Sequence, residues 1–188
     1  SAEITPGLLD ASLVYDSQRR RIVHVGGSAC DPYECFLWDG AYEYFAVDPA
    51  STAPFGTSCA GSLGPLSLQA QVSSLPWLGD ELVLEIAPIP DAPAAAVGFL
   101  GASNTALGAI PLPLSLALLG SPGCFLATSS EFAVPLTVLA GTATWVIPIP
   151  SNTALTGVVL HFQGLTLNDP AAGAVRTSNG LTAVVGEK

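Results

Sequence analysis

Proline and glycine recur along the whole chain, and they break every apolar run before it reaches the length of a stable helix. Proline removes a backbone donor and clashes with the preceding turn; glycine loses more conformational entropy than any other residue when a helix fixes it. What remains are short Val, Leu, Ile, Thr and aromatic runs bounded by Gly, Pro, Ser and Asn, the pattern of an all-β sandwich or barrel. In the first section the runs are Leu13–Tyr15, Arg21–Val25, Cys35–Trp38 and Tyr42–Val47. In the second they are Leu66–Val72, Glu81–Ile86, Ala95–Gly101, Leu114–Leu119, Cys124–Thr128, Phe132–Val138, Thr142–Ile149, Val158–Leu167 and Leu181–Val185. Apolar and polar residues alternate in Leu82-Val-Leu-Glu-Ile86 and Leu66-Ser-Leu-Gln-Ala-Gln-Val72, so these strands bury one face and wet the other. Pro148 and Pro150 place their run at an edge or a strand end.

The distribution of side chains divides the chain in two. Tyr15, Tyr33, Phe36, Trp38, Tyr42, Tyr44 and Phe45 concentrate in residues 1–53, where Asp39-Gly40 marks a hairpin turn. The stretch from Asp48 to Thr57 reads as a linker, and the remainder, residues 54–188, is aliphatic and poor in aromatics.

Five basic residues stand against fifteen acidic ones, and no Lys or Arg lies between Ile22 and Val175. Such a surface repels phosphate backbones, which excludes nucleic acid as a partner. The apolar stretches are interrupted by proline and fall short of the roughly 18 residues a membrane-spanning helix needs. A chain without methionine that opens on Ser1 reads as the product of cleavage from a precursor, and removal of a secretory leader is the simplest cause. The cysteines, Cys30, Cys35, Cys59 and Cys124, are even in number and fit no usual zinc spacing, so they read as disulfides rather than metal ligands or free thiols. The pairs expected are Cys30–Cys35 and Cys59–Cys124. The loop-entropy relation gives roughly 2 kcal/mol for the first and roughly 4 kcal/mol for the second.

Groups that carry chemistry are few. His24 and His161 sit within apolar runs, as ordinary strand histidines do. No Gly-x-Ser-x-Gly elbow occurs, which argues against a serine hydrolase. Asp80, Glu81 and Glu85, and the cluster Asp31, Glu34, Asp39 and Glu43, read as solvated surface rather than as a glycosidase pair. The second cluster could hold calcium, but no Asp-x-Asp-x-Asp-Gly loop is present, and the expectation is a chain without cofactor. Arg19, Arg20 and Arg21 form the one basic feature, a hairpin corner that in so acidic a chain is the natural contact for a neighbouring subunit. Trp38, Tyr42 and Tyr44 read as core residues of the first section or, failing that, as a sugar-stacking platform.

The segment from Ser12-Leu-Val-Tyr-Asp to Arg19-Arg-Arg-Ile-Val-His-Val-Gly-Gly27, followed by Phe36-Leu-Trp-Asp-Gly-Ala-Tyr-Glu-Tyr44, resembles one repeat of the Kelch propeller family. A propeller closes with about four to eight blades, and this chain carries one. A lone blade cannot bury its own faces. It is expected to pack on the second domain, to be completed by other chains, or to end a longer precursor.

Gly56-Thr-Ser-Cys59-Ala-Gly, Trp77-Leu-Gly-Asp80, Gly98-Phe-Leu-Gly-Ala-Ser103, Gly120-Ser-Pro-Gly-Cys124, Ile147-Pro-Ile-Pro-Ser-Asn152, Phe162-Gln-Gly164 and Thr177-Ser-Asn-Gly180 resemble a carboxy-terminal domain of large exported proteins from planctomycete-like environmental bacteria. That resemblance implies export and a jelly-roll-like antiparallel β-sandwich. It supports joining Cys59 to Cys124, because the two Cys-Gly motifs recur together, and it transfers no active site. The expectation is therefore an all-β, non-enzymatic structural protein of the cell exterior: a Kelch-like unit, residues 1–53, before a disulfide-stapled sandwich. It would associate with other copies or with a cell-surface protein through β-rich faces or strand complementation, as a filament or surface-layer subunit does. The alternative is a carbohydrate-binding module, which would set Trp38, Tyr42, Tyr44 and Trp77 against a glycan.

Overall fold

The computed structural model describes residues 12–16, 21–30, 35–37, 41–45, 49–90, 95–167 and 175–188. Two compact units, Ser1–Val47 and Asp48–Lys188, make up the chain. Helix is confined, among the described residues, to two 3-10 turns, Ala117–Leu119 and Thr153–Leu155, as the spacing of proline and glycine requires.

The first unit contains β1 (Ser12–Asp16), β2 (Arg21–Val25), β3 (Ser28–Cys30), β4 (Cys35–Leu37) and β5 (Ala41–Phe45). Strands β1, β2 and β5 form an antiparallel sheet in that order, and the β3–β4 hairpin is inserted between β2 and β5. The register sets Leu13 opposite His24 and Val14 opposite Val23. Leu13 is 69% exposed and Val14 59%. Successive strand residues face opposite ways, so both faces of this sheet carry an apolar residue in water. The Asp39-Gly40 turn expected from the sequence lies outside the described residues.

The second unit is an antiparallel β-sandwich. It contains β6 (Ser51–Phe55), β7 (Ala60–Gly61), β8 (Gly64–Pro65), β9 (Ser67–Ala70), β10 (Glu81–Ala87), β11 (Ala95–Gly101), β12 (Ala106–Leu107), β13 (Ile110–Pro111), β14 (Leu114–Ser115), β15 (Phe125–Leu126), β16 (Phe132–Leu136), β17 (Val138–Leu139), β18 (Thr142–Pro148), β19 (Val159–Leu167) and β20 (Val175–Val184). One sheet has the order β17-β18-β10-β9 and the other β16-β11-β19-β20-β6. Leu82, Leu84 and Ile86 of β10 and Trp145 of β18 meet Phe162 of β19 and Leu181 and Ala183 of β20 in one buried cluster. These are the alternate residues of each strand, as the period of two requires. Trp145 stands edge-on to Phe162 at 5.3 Å between centroids. It also lies against Gly98 of β11, where a Cβ would approach the indole ring to 2.5 Å.

Three expectations are corrected. The stretch from Asp48 to Thr57 is not a linker, because β6 pairs residue for residue with β20, from Phe55 opposite Gly180 to Ser51 opposite Val184. A boundary between residues 53 and 54 would cut that strand. The last strand begins at Val175 rather than Leu181, since Thr177-Ser-Asn-Gly180 continues the ladder through an irregularity in register. The run Leu114–Leu119 is a strand only as far as Ser115 and then turns into the 3-10 segment that Gly120 ends in a left-handed conformation.

How the sandwich edges end is informative. Each edge strand of the larger sheet carries a proline, Pro54 in β6 and Pro135 in β16, which offers no N–H to an incoming strand. Strand β17 is two residues long. Strand β9 is closed by a side chain. Asn179 Oδ1 accepts the Leu68 N–H at 2.9 Å, and Asn179 Nδ2 donates to the Leu68 carbonyl at 3.0 Å, as a paired strand would. The edges lack Lys yet are guarded. Asn179→Ala, which leaves both Leu68 groups unpaired, is expected to lower stability by about 1–3 kcal/mol in urea denaturation. Gly98→Ala is expected to cost a similar amount by displacing Trp145.

Candidate functional site

The outer face of the larger sheet is covered in its middle, over β19 and β20. Residues 102–131, between β11 and β16, form a cap containing the β12–β13 hairpin, the β14–β15 pair and the first 3-10 turn. Its anchor is Gln163, wholly buried on the outer face of β19. Gln163 Nε2 donates to the carbonyls of Phe125 and Ser178, both at 2.9 Å, and Oε1 accepts the Ala127 N–H at 2.8 Å. The Val175 N–H donates to Ser121 Oγ at 3.0 Å, and the Phe125 N–H to Thr177 Oγ1 at 3.3 Å. At the start of the cap, a Cβ on Gly101 would meet the Ser129 carbonyl oxygen at 1.7 Å, so only glycine lets β11 approach so near.

The Cys59–Cys124 disulfide is present and staples this cap to the segment after β6, with a Cα separation of 4.9 Å. Leu116 packs on it, and Leu126 and Val175 lie beside it. The apolar seam is small, so the bridge and the polar anchors carry the attachment. In the first unit, Cys30 stands opposite Cys35 across the β3–β4 hairpin, and Cys35 is disulfide-bonded. No described cysteine is free.

Arg176, which sequence reading passed over, is entirely buried within the sandwich. Its guanidinium donates to the carbonyls of Cys59, Gly64 and Pro88, tying the β7–β8 hairpin and the turn after β10 to β20. Nothing in the local pattern of Val175-Arg-Thr marks it as internal, because its acceptors are backbone groups distant in sequence.

The residues expected to carry chemistry are dispersed. Among the described residues no three His, Cys, Asp or Glu side chains gather as metal ligands. Asp80 pairs with Lys188, whose ammonium also lies 5.8 Å from the ring centroid of Trp77. Glu85 accepts from Gln71 Nε2 at 2.7 Å. Glu131 accepts from the Ser129 hydroxyl at 2.8 Å, which holds its carboxyl below the ordinary range. His24 and His161 are both buried in strands. His161 Nδ1 lies 3.1 Å from Thr182 Oγ1, with Phe55 edge-on at 5.6 Å, and burial lowers its pKa.

Arg19, Arg20, Asp31, Glu34, Trp38 and Asp39 lie outside the described residues. Arg21 opens β2, opposite Asp16 on one side and Phe45 on the other. Tyr42 and Tyr44 occupy alternate positions of β5, opposite His24 and Ile22 in the register. Glu43 lies between them, opposite Val23. No helix among the described residues is long and apolar enough to cross a membrane. Comparison with protein-family models, with curated proteins and with solved structures finds no match.

Two outcomes follow from this geometry. Replacing Cys59 and Cys124 by serine is expected to cost about 4 kcal/mol in urea denaturation and to speed amide exchange across residues 102–131 before the rest of the sandwich. Because the folded pKa of His161 lies below its unfolded value of about 6.5, the fold binds fewer protons there. Its contribution is present above the unfolded value and is lost as pH falls from there through the lower folded value. His161→Phe should therefore flatten the decline in thermal midpoint between about pH 7 and pH 5.

Proposed function

We propose that this chain is an exported structural protein that associates with copies of itself, and that its first unit is the adhesive part. The observation that carries the reading is the β1-β2-β5 sheet, which exposes Leu13 and Val14 on opposite faces and Ile22 and Val25 beside them. A sheet with water on two apolar faces gains free energy from any partner that covers one. Its outer strands, Ser12-Leu-Val-Tyr-Asp16 and Ala41-Tyr-Glu-Tyr-Phe45, contain neither proline nor lysine. The second unit, with its edges closed by Pro54, Pro135 and Asn179, then acts as the stable body that presents this sheet. Strand complementation accordingly belongs to the first unit rather than to the sandwich.

Export is supported by the disulfides, which persist in oxidising compartments. A filament or surface-layer subunit, with the first unit as a lone Kelch-like blade and the second as a jelly-roll-like sandwich, is the concrete form of the proposal. Sedimentation of the full chain should give a mass that rises above 19.1 kDa with concentration. Leu13→Glu with Val14→Glu should reduce association at least about tenfold while leaving the thermal midpoint of the sandwich in place. A single 19.1 kDa species at all concentrations, or association indifferent to these substitutions, would overturn the reading.

A further inference from the structure

Asn179 and Gly180 are each held in place by packing, and together they form the dipeptide in which an asparagine is chemically least stable. In the ladder between β19 and β20, Gln163 stands opposite Gly180 and Leu165 opposite Thr177, so Ser178 and Asn179 together face the single Gly164. At this bulge the Asn179 carboxamide reaches β9 of the other sheet and binds both backbone groups of Leu68. The next residue lies against the ring of Phe55, which a Cβ on Gly180 would meet at 2.2 Å. Of the asparagines, Asn104, Asn152, Asn168 and Asn179, only the last is followed by glycine.

Glycine puts no side chain in the way of its own amide nitrogen, which can therefore reach the carboxamide carbon of a preceding asparagine. The nitrogen loses its proton and bonds to Cγ, the Cγ–Nδ2 bond breaks, and ammonia leaves. Water then opens the cyclic imide at either carbonyl, giving aspartate or isoaspartate, and no other reactant is needed. The native fold blocks this closure. Leu68 holds Asn179 Oδ1 and Nδ2, Nδ2 also donates to the Gly180 carbonyl at 3.0 Å, and Gly180 is buried and paired on both sides. Cγ reaches the nitrogen only once the carboxamide has left β9 and β20 has left its ladders.

We infer that Asn179-Gly180 is a modification site, shielded by the native fold and exposed when β20 opens, whose deamidation permanently removes the clamp on β9. An aspartate still accepts the Leu68 N–H but has no proton for the Leu68 carbonyl, so two oxygens face one another. An isoaspartate also adds a carbon to the main chain and disturbs the register. Opening of the sandwich thereby leaves a covalent mark at the one margin that a side chain closes. This site belongs to the second unit and does not depend on association through the first.

The test is peptide mass spectrometry of the full chain, kept in heavy-oxygen water either folded or unfolded in guanidinium chloride at the same pH and temperature. Label should enter at Asn179 at least about tenfold faster in the unfolded chain, because the folded one reacts only through its rare open state. In the unfolded chain Asn179 should also outpace Asn104 and Asn152. An Asn179→Asp chain, prepared directly, should melt at a lower temperature than the natural sequence, and its Ser67–Ala70 amides should exchange at least about tenfold faster. Asn152→Asp adds the same charge where Oδ1 only accepts, from the Ala154 N–H, and should change neither readout. Equal labelling of Asn179 in the folded and unfolded chains, or labelling no faster than at Asn152 when unfolded, would overturn the shielded site. These arms need no variant, so they decide the matter even where Asn179→Asp does not fold. An Asn179→Asp chain with the natural melting temperature and natural exchange at Ser67–Ala70 would overturn the loss of the clamp.

Discussion

The backbone hydrogen bonds at the margins of the sheets govern how this molecule is organised. Every outer strand presents N–H and C=O groups that must be paired, wetted or blocked, since an unguarded row of them is a template for another chain. The sandwich solves this four times over with different means: Pro54 in β6, Pro135 in β16, a two-residue β17, and the carboxamide of Asn179 against β9. None of these uses a lysine, which accords with a chain that has five basic residues in all. The described outer strands of the β1-β2-β5 sheet contain neither proline nor lysine, and the proposal that the first unit is adhesive rests on that asymmetry.

The second organising element is the cap. A sheet face that is not part of the apolar core would ordinarily be wet; here its middle is covered by a segment whose one charged side chain is Glu131, at its end. The hydrogen bonds of Gln163, Thr177 and Ser121 satisfy cap backbone and sheet backbone together, so polar residues can be buried without penalty. The apolar contribution is limited to Leu116, Leu126, Val175 and the disulfide itself. The Cys59–Cys124 bridge therefore has a larger role than the size of the sandwich core alone would suggest, because it joins two segments 65 residues apart whose contact is otherwise mostly polar.

What could be read from the sequence followed from local physics. The prolines and glycines excluded helix, and the alternation in Leu82-Val-Leu-Glu-Ile86 placed its leucines and isoleucine in the core where the structure has them. The half-cystine pair Cys59–Cys124 was visible from count and resemblance. What escaped was decided by partners distant in the chain. Asp48–Thr57 has the composition of a linker, but β20 supplies a ladder for Ser51–Phe55 within it, and pairing outweighs the poor strand propensity of Ser and Pro. Thr177-Ser-Asn-Gly180 has the composition of a turn, yet it is a strand whose irregular register frees Asn179 to close β9. Arg176 was a charge in a strand until its three backbone acceptors came together around it. Of the candidate interaction residues, the arginines and aromatics were suggested by composition. The exposed Leu13 and Val14 were not, because exposure is a property of the folded chain.

Hydrogen–deuterium exchange of the full chain over a range of concentrations tests the difference between guarded and open margins most directly. The account predicts that amides of Ser12–Asp16 or Ala41–Phe45 gain protection as concentration rises, while those of Ser51–Phe55, Ser67–Ala70 and Phe132–Leu136 exchange at constant rates. Concentration-dependent protection at the sandwich margins, with none in the first unit, would contradict it.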